Sequence, residues 1–139
     1  MEALDPVADI WATVELERAL REHDRPIDLA ETATVDPLLG ANVVLIAADG
    51  GRPLALAEPI SEGRLAAALA RHGEGRTGQY VAVPEGDTVD AYRRRAQAAG
   101  VAVSRVEPGP FGLSVLVLVR PVTGPHLIVV ERRSLPSRA

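Results

Sequence analysis

Few side chains in this chain of 139 residues could do acid–base or nucleophilic chemistry. The chain contains no cysteine, and its 15 basic residues are all arginine. A Schiff-base lysine, a cysteine nucleophile and a thiolate metal site are therefore excluded. The remaining candidates are carboxylates, two tyrosines and three histidines, and no Ser-His-Asp arrangement stands out among them. The residue types favour proton transfer or hydrogen bonding by a tyrosine or a carboxylate.

The three histidines are too scattered in their expected elements to form a metal site. His23 follows a predicted helix, His72 lies in a turn and His126 stands beside a hairpin turn. A divalent cation needs several nitrogen or oxygen donors that are held together. We therefore expect no metal and no other cofactor.

The elements that must position these groups occur twice in the same order. In the first half, the hydrophobic pattern predicts a strand, a helix and three strands, at residues 10–14, 15–22, 27–35, 42–48 and 54–58. A turn signal at 49–51 separates the last two strands. A linker helix then follows at 61–71, with Ser61 as its expected cap and Gly73 at its end.

The second half repeats this pattern. It predicts a strand, a helix that Asp87 can cap, and three more strands, at residues 79–83, 87–99, 101–106, 113–120 and 126–131. The repeat predicts a single α+β domain over residues 7–132, with modules at 7–59 and 78–132, a linker helix at 61–72 and a flexible tail at 133–139.

The composition limits the class of protein. Hydrophobic residues make up 47% of the chain and aromatic residues only 3%, which predicts an aliphatic core. A net charge of −4 argues against nucleic acid as a partner. The apolar runs are too short to span a bilayer, and the N-terminal residues do not resemble a signal peptide. We expect a cytoplasmic protein whose partner is a small organic molecule, with no membrane contact.

The repeated order and several sequence words resemble the vicinal oxygen chelate superfamily, which includes the glyoxalases. Its methylmalonyl-CoA epimerase-like branch is the most similar. The words that carry the resemblance are "VELERAL", "LLGANVVLI", "LALAEP", "RLAAALARHGEG", "DTVDAYRRRAQAAGV" and "VEPGPFG". The resemblance implies two βαβββ modules whose mixed sheet curls around a central cleft, and it implies a homodimer. It also implies a divalent cation, held by one side chain from each of four strands.

The four ligand positions of the family fall on side chains that do not suit a metal. The resemblance places them at Ala8 or Asp9, at Ala55, at Tyr80, and at Val129 or Ile128. The strand pattern favours Asp9, which would put Trp11 and Thr13 on the same cleft face. Aliphatic side chains cannot bind a metal, and a neutral tyrosine is a poor ligand. The usual ligand set is therefore expected to be lost.

The same positions supply the candidate site residues. Tyr80, Asp9 and Glu131 are the candidate catalytic residues, since Tyr80 could donate a proton to a bound carbonyl. A carboxylate in an apolar cleft has a raised pKa and can act as a base. The candidate ligand-binding residues share an expected place on the cleft wall, and they are Trp11, Thr13, Ala55, Ala82 and Val129.

Three functions remain open from the sequence. The first is metal-independent isomerisation, cyclisation or proton transfer, by an enzyme of the isomerase or lyase type. The second is non-catalytic binding of a small molecule, as in a resistance protein. The third is a metal-dependent epimerase or lyase with atypical ligands.

Overall fold

The computed structural model describes residues 4–23, 33–47 and 51–131. In chain order the elements are β1 Asp5–Ala12, α1 Leu16–Glu22, β2 Thr34–Asp36, β3 Ala41–Ile46, β4 Leu54–Pro59, α2 Arg64–His72, β5 Gly75–Ala82, α3 Val89–Ala98, β6 Glu107–Gly109, β7 Gly112–Leu116 and β8 His126–Val130. None of these helices is both long enough and apolar enough to span a membrane.

All eight strands belong to one mixed sheet, in the order β2-β3-β4-β1-β5-β8-β7-β6. The two modules meet where β1 runs antiparallel to β5, and each of these strands pairs in parallel with the last strand of its own module. The sheet curls until its edge strands β2 and β6 come into contact. The predicted α+β fold with a curled mixed sheet is confirmed.

The curled sheet separates an inner face from an outer face. Successive strand residues point to opposite faces, and the inner face carries the largest hydrophobic cluster, which includes Ala8, Ile10, Tyr80 and Ile128. Helix α2 adds Leu65 to that cluster. On the outer face, α1 and α3 each cover the strands of their own module with a smaller cluster.

The helices α1 and α3 begin in the same way. The backbone N–H of Leu16 donates to Glu58 Oε1 at 2.8 Å, and the N–H of Val89 donates to Glu131 Oε1 at 3.1 Å. Glu58 lies in β4 and Glu131 directly follows β8, so the last strand of each module supplies the carboxylate that binds its own helix. A carboxylate at this place accepts a hydrogen bond from a helical N–H that has no partner within the helix, and its negative charge interacts favourably with the positive end of the helix dipole.

The predicted strand at 101–106 is wrong. Only a single bridge joins Val103 to Val117, and the short strand β6 lies instead in the segment that was expected to be a turn. The Oγ atom of Ser104 accepts a hydrogen bond from the N–H of Leu116 at 2.8 Å. This side-chain hydrogen bond replaces a backbone ladder bond and interrupts the strand.

Several predicted element ends also differ. The first strand lies earlier than residues 10–14, at β1. Gly63, and not Ser61, precedes α2, and Thr88, and not Asp87, caps α3 by accepting a hydrogen bond from the N–H of Ala91. The predicted strand at 27–35 is described only in its last residues. Most of the turn at 49–51 and the tail at 133–139 lie outside the described residues.

A close approach of β5 and β8 requires glycine at position 78. A Cβ atom at Gly78 would lie 2.2 Å from the carbonyl oxygen of His126 and 2.6 Å from its nitrogen, whereas a Cβ at Gly75 on the same strand would meet nothing within 4 Å. Both glycines have positive φ angles, of 158° and 144°. A substitution at either position therefore disturbs the backbone, but only one forces the strands apart.

We predict that Gly78→Ala lowers the free energy of unfolding by about 2–3 kcal/mol more than Gly75→Ala does, because overpacking against backbone cannot be relieved by a side-chain rotation. Urea unfolding of both variants measures the difference. Equal losses in the two variants would contradict the close approach.

Candidate functional site

A tyrosine–carboxylate hydrogen bond lies at the centre of the inner face. The hydroxyl of Tyr80 donates to Asp36 Oδ2 at 2.6 Å, and both side chains are fully buried. The other carboxylate oxygen of Asp36 accepts from the N–H groups of Leu38 and Leu39 at 2.9 and 3.4 Å. Asp36 thus links the edge strand β2 to the central strand β5 and also organises the turn into β3.

Burial controls the protonation of this pair. Burial raises the pKa of Asp36 above its usual value, and the hydrogen bonds from Tyr80, Leu38 and Leu39 offset part of that rise. Burial, and then the charge of Asp36, raises the pKa of Tyr80 well above its usual value. Tyr80 therefore stays a neutral donor across the physiological range.

An aromatic ring packs against the Tyr80–Asp36 pair near the seam where the edge strands β2 and β6 meet. Phe111, in the turn between β6 and β7, is buried and packs edge-on against Tyr80 with ring centroids 5.0 Å apart. A Cβ atom at Gly109 in β6 would lie 3.8 Å from the carboxylate of Asp36. Phe111, Tyr80 and Asp36 therefore fill the part of the cleft that lies next to this seam.

His126 is a second polar group on the inner face, although its place beside a hairpin turn in the sequence did not predict a site there. It is 1% exposed, and its position in β8 puts it on the same face as Ile128 and Val130. Within the described residues, neither ring nitrogen makes a hydrogen bond of normal geometry, and the backbone of Arg64 is a nearby polar group. Burial, followed by the charge of Arg64, lowers the pKa of His126 to about 4, and an interaction with the backbone of Arg64 offsets part of that fall. The imidazole is therefore neutral at pH 7.

The predicted orientation of β1 is wrong, because the residues that face the cleft are shifted by one position from those expected. Ala8, opposite Tyr80, and Ile10, opposite Ala55, face the cleft, so the alternative position Ala8 takes the place of Asp9. Asp9 Oδ1 lies on the outer face, 3.3 Å from Arg52 and 3.1 Å from Arg76.

Trp11 and Thr13 also lie away from the cleft. Trp11 packs against the cluster under α1, with its ring edge-on to His23. Thr13 donates to Glu74 Oε2 at 2.8 Å, where Glu74 also accepts from the N–H of Val14. The bond from Val14, then that from Thr13, lowers the pKa of Glu74.

In β8, too, the residues that face the cleft are shifted by one position from those predicted. Val129 belongs to the cluster under α3, whereas Ile128 faces the cleft. Glu131 shares the outer face with Val129, where it binds the start of α3. Ala55, Tyr80 and Ala82 do lie on the inner face, as expected. The structure therefore does not bring Tyr80, Asp9 and Glu131 together.

The four positions that the resemblance assigns to a divalent cation do not fit one in this structure. The four matching positions are Ala8, Ala55, Tyr80 and Ile128, and the hydroxyl of Tyr80 is their only polar side-chain atom, already bonded to Asp36. Among the described residues, no group of three or more histidine, cysteine, aspartate or glutamate side chains could hold a metal.

We predict that Tyr80→Phe destabilises the protein by about 2 kcal/mol at pH 7, because Asp36 loses a donor inside the core. The loss should shrink at pH 3, since the folded-state pKa of Asp36 rises further in the variant and protonation removes the buried charge. Urea unfolding at both pH values measures this effect. The same substitution in an Asp36→Asn background is the control, and a pH-dependent loss there would contradict the assignment.

We also predict that the neutral, buried His126 makes stability fall as the pH is lowered from 6.5 towards 4. The unfolded chain binds a proton in this window and the folded chain does not, which costs up to about 3 kcal/mol. Unfolding curves at pH 7 and 4.5 should show a smaller fall in His126→Gln than in the wild type. The exposed His72→Gln is the matched control, and equal falls in the two variants would refute the prediction.

Comparison with known proteins gives the fold a context. No family model and no curated protein matches the chain. Among solved structures, methylmalonyl-CoA epimerase from Mycobacterium tuberculosis is 22% identical with a TM-score of 0.70, over 97% of this chain and 88% of that one. A single-residue variant of the Streptomyces coelicolor enzyme, in complex with 2-nitronate-propionyl-CoA, is 19% identical with a TM-score of 0.70, over 98% and 100%.

A hypothetical protein from Bacillus halodurans is 16% identical with a TM-score of 0.69, over 99% of both chains. At these identities the likeness is one of fold. The chain has the fold of the methylmalonyl-CoA epimerases.

Proposed function

We propose that this protein binds a small organic molecule in its cleft without a metal ion and releases it unchanged. The observation that carries the proposal is the buried imidazole of His126 on the inner face, whose ring nitrogens make no hydrogen bond of normal geometry within the described residues. Buried polar side chains in folded proteins are nearly always hydrogen-bonded, and an unsatisfied one costs about 1–3 kcal/mol. A ligand that bonds this ring explains why a histidine occupies the position.

The environment of His126 indicates the kind of polar group that the ligand carries. The ring is neutral at pH 7, because its pKa is about 4, so one nitrogen donates and the other accepts. Asp36 occupies the same interior, and its carboxylate disfavours a nearby anion. The polar group is therefore an uncharged carbonyl, hydroxyl or amide on a largely apolar body.

Displacement of Phe111 would make room for such a ligand. Its ring is roughly the size of a small organic molecule, and it comes from a turn at the seam where β2 and β6 touch without pairing. Tyr80 packs edge-on against this ring. A ligand in that place would lie against the hydroxyl that now binds Asp36.

Two observations support binding over catalysis. Asp9 and Glu131, the expected partners of Tyr80 in proton transfer, are engaged on the outer face by arginines and by α3. The positions that hold the family's cation carry aliphatic side chains except for Tyr80. The related epimerase structures contain 2-nitronate-propionyl-CoA or methylmalonyl-CoA, so the same fold does accommodate small organic ligands.

We predict that the wild-type protein retains a small molecule after incubation with a filtered metabolite extract, as detected by native mass spectrometry. His126→Phe should reduce the occupancy at least tenfold, since it removes both ring nitrogens. The variant should be as stable as the wild type or more so, because an apolar ring replaces an unsatisfied polar one. His72→Phe should bind like the wild type.

Two further measurements separate the remaining functions. The released molecule should have the mass and retention time that it has in the extract, and treatment with EDTA should leave the occupancy unchanged. A chemically altered product would support an enzyme, and loss of binding in EDTA would support a metal site. Equal retention by His126→Phe, or no bound molecule at all, would refute the proposal.

A further inference from the structure

An open groove lies on the outer face of the sheet, on the opposite side from the cleft. It has a volume of about 800 Å³ and lies between the C-terminal half of α3 and the strands β5 and β8. Val81 and Leu127 contribute to its floor, while their chain neighbours Tyr80 and Ile128 face the cleft. The groove is therefore separate from the site around His126.

The floor of the groove is aliphatic. It is formed by Leu4, Val81, Val117 and Leu127, which all belong to or pack against the cluster under α3. Val119 lies at its rim and is 64% exposed. Sites for small ligands commonly have volumes of about 300–1,000 Å³ with mostly apolar walls and a few polar groups.

The polar groups of the groove favour a negative charge. None of the residues that line it is acidic, all of them lying in the described part of the chain. Arg95 pairs with Asp87 at 2.6 Å, but the guanidinium of Arg120 has no carboxylate partner among the described residues. The amide of Gln79 likewise makes no side-chain hydrogen bond there. One cation and one amide thus remain available beside an aliphatic floor.

The backbone that carries Arg120 is held in place. Arg64 Nη1, at the start of α2, donates to the carbonyl oxygens of Arg120 and Pro121, both at 3.2 Å. These bonds tie the loop between β7 and β8 to the helix. They fix the backbone position of Arg120, whose exposed side chain lines the groove.

We propose that this groove is a second binding site, which takes an amphipathic carboxylate of the fatty-acid type. The carboxylate binds Arg120 and Gln79, and the aliphatic tail lies on Val81 and Leu127. Charge complementarity selects an anion over a neutral molecule, and the absence of aromatic residues other than Tyr92 from the lining favours a flexible chain over a flat ring. The site does not depend on the cleft ligand.

Decanoate, below its micelle concentration, is the probe, and the methyl NMR signals of valine and leucine report where it binds. We expect saturable shifts at Val81, Val117 and Leu127. Ala96→Phe, which fills the groove from α3, should weaken binding at least tenfold, and Arg120→Gln at least fivefold. Decanol should bind at least fivefold more weakly than decanoate, because it lacks the charge.

The controls distinguish this site from the alternatives. Arg94→Gln changes an exposed arginine of α3 that pairs with Asp90 outside the groove, and it should leave the affinity unchanged. His126→Phe should also leave it unchanged, so failure of the cleft proposal and failure of this one are separable. Shifts at inner-face methyls such as Leu39 and Ile128, or no saturation, would overturn the proposal. Equal affinity of Arg120→Gln and Arg94→Gln, or groove shifts that arise on changing protein concentration alone, would do so as well.

Discussion

The hydrogen bond from Tyr80 to Asp36 is the contact on which the interior of this protein depends. It joins a central strand to an edge strand across the inside of the sheet, in a region from which water is excluded. A buried carboxylate is costly unless its oxygens are bonded. Asp36 meets that condition with one hydroxyl and two backbone N–H groups. The edge strand is therefore held inward, and β2 and β6 can meet.

This closure changes what the fold can do. In a sheet of this shape the open cleft is the usual place for a ligand, and here Tyr80 and Phe111 occupy it. The side chains that line the cleft wall are small, which leaves volume for these two rings. The wall residues share a position on the inner face of β1, β4 or β5, and they are Ala8, Ala12, Ala55, Ala57 and Ala82. The small wall side chains and the two large central rings are thus two parts of one packing arrangement.

The sequence predicts the elements well because their signals are local. The predicted helices at 15–22 and 61–71 match α1 and α2, which bury apolar residues at helical spacing: Leu16, Ala19 and Leu20 in α1, and Leu65 and Ala68 in α2. The face on which each strand residue lies is harder to predict, because a shift of one residue in the assignment exchanges the inward-facing and outward-facing residues. Asp9 and Thr13 bind Arg76 and Glu74, which lie 67 and 61 residues away in sequence, and no local pattern reveals these partners. The residue type of Trp11 does not indicate its face, because a large apolar ring can pack on either side of a sheet that is covered on both.

The repeat itself contained a signal that would have placed Glu131 correctly. Glu58 follows the inner-facing Ala57 as Glu131 follows the inner-facing Val130, and each carboxylate binds the first N–H of its module's helix. Aligning the two modules makes Glu131 a partner of α3 and removes it from the cleft. The same alternation, counted back from Val130, puts Ile128 and His126 on the inner face.

The two faces of β5 and β8 therefore have different chemistry, and the alternation of strand residues keeps them apart. Inward, these strands present Tyr80 and the neutral His126 to a closed aliphatic interior. Outward, they present Val81 and Leu127 to an open groove beside Arg120. An uncharged polar group suits the first environment and an anion suits the second, because burial penalises charge whereas an exposed guanidinium attracts it. One pair of strands can thus serve two ligands of different charge without either site altering the other's electrostatics, provided that the sheet between them stays closed.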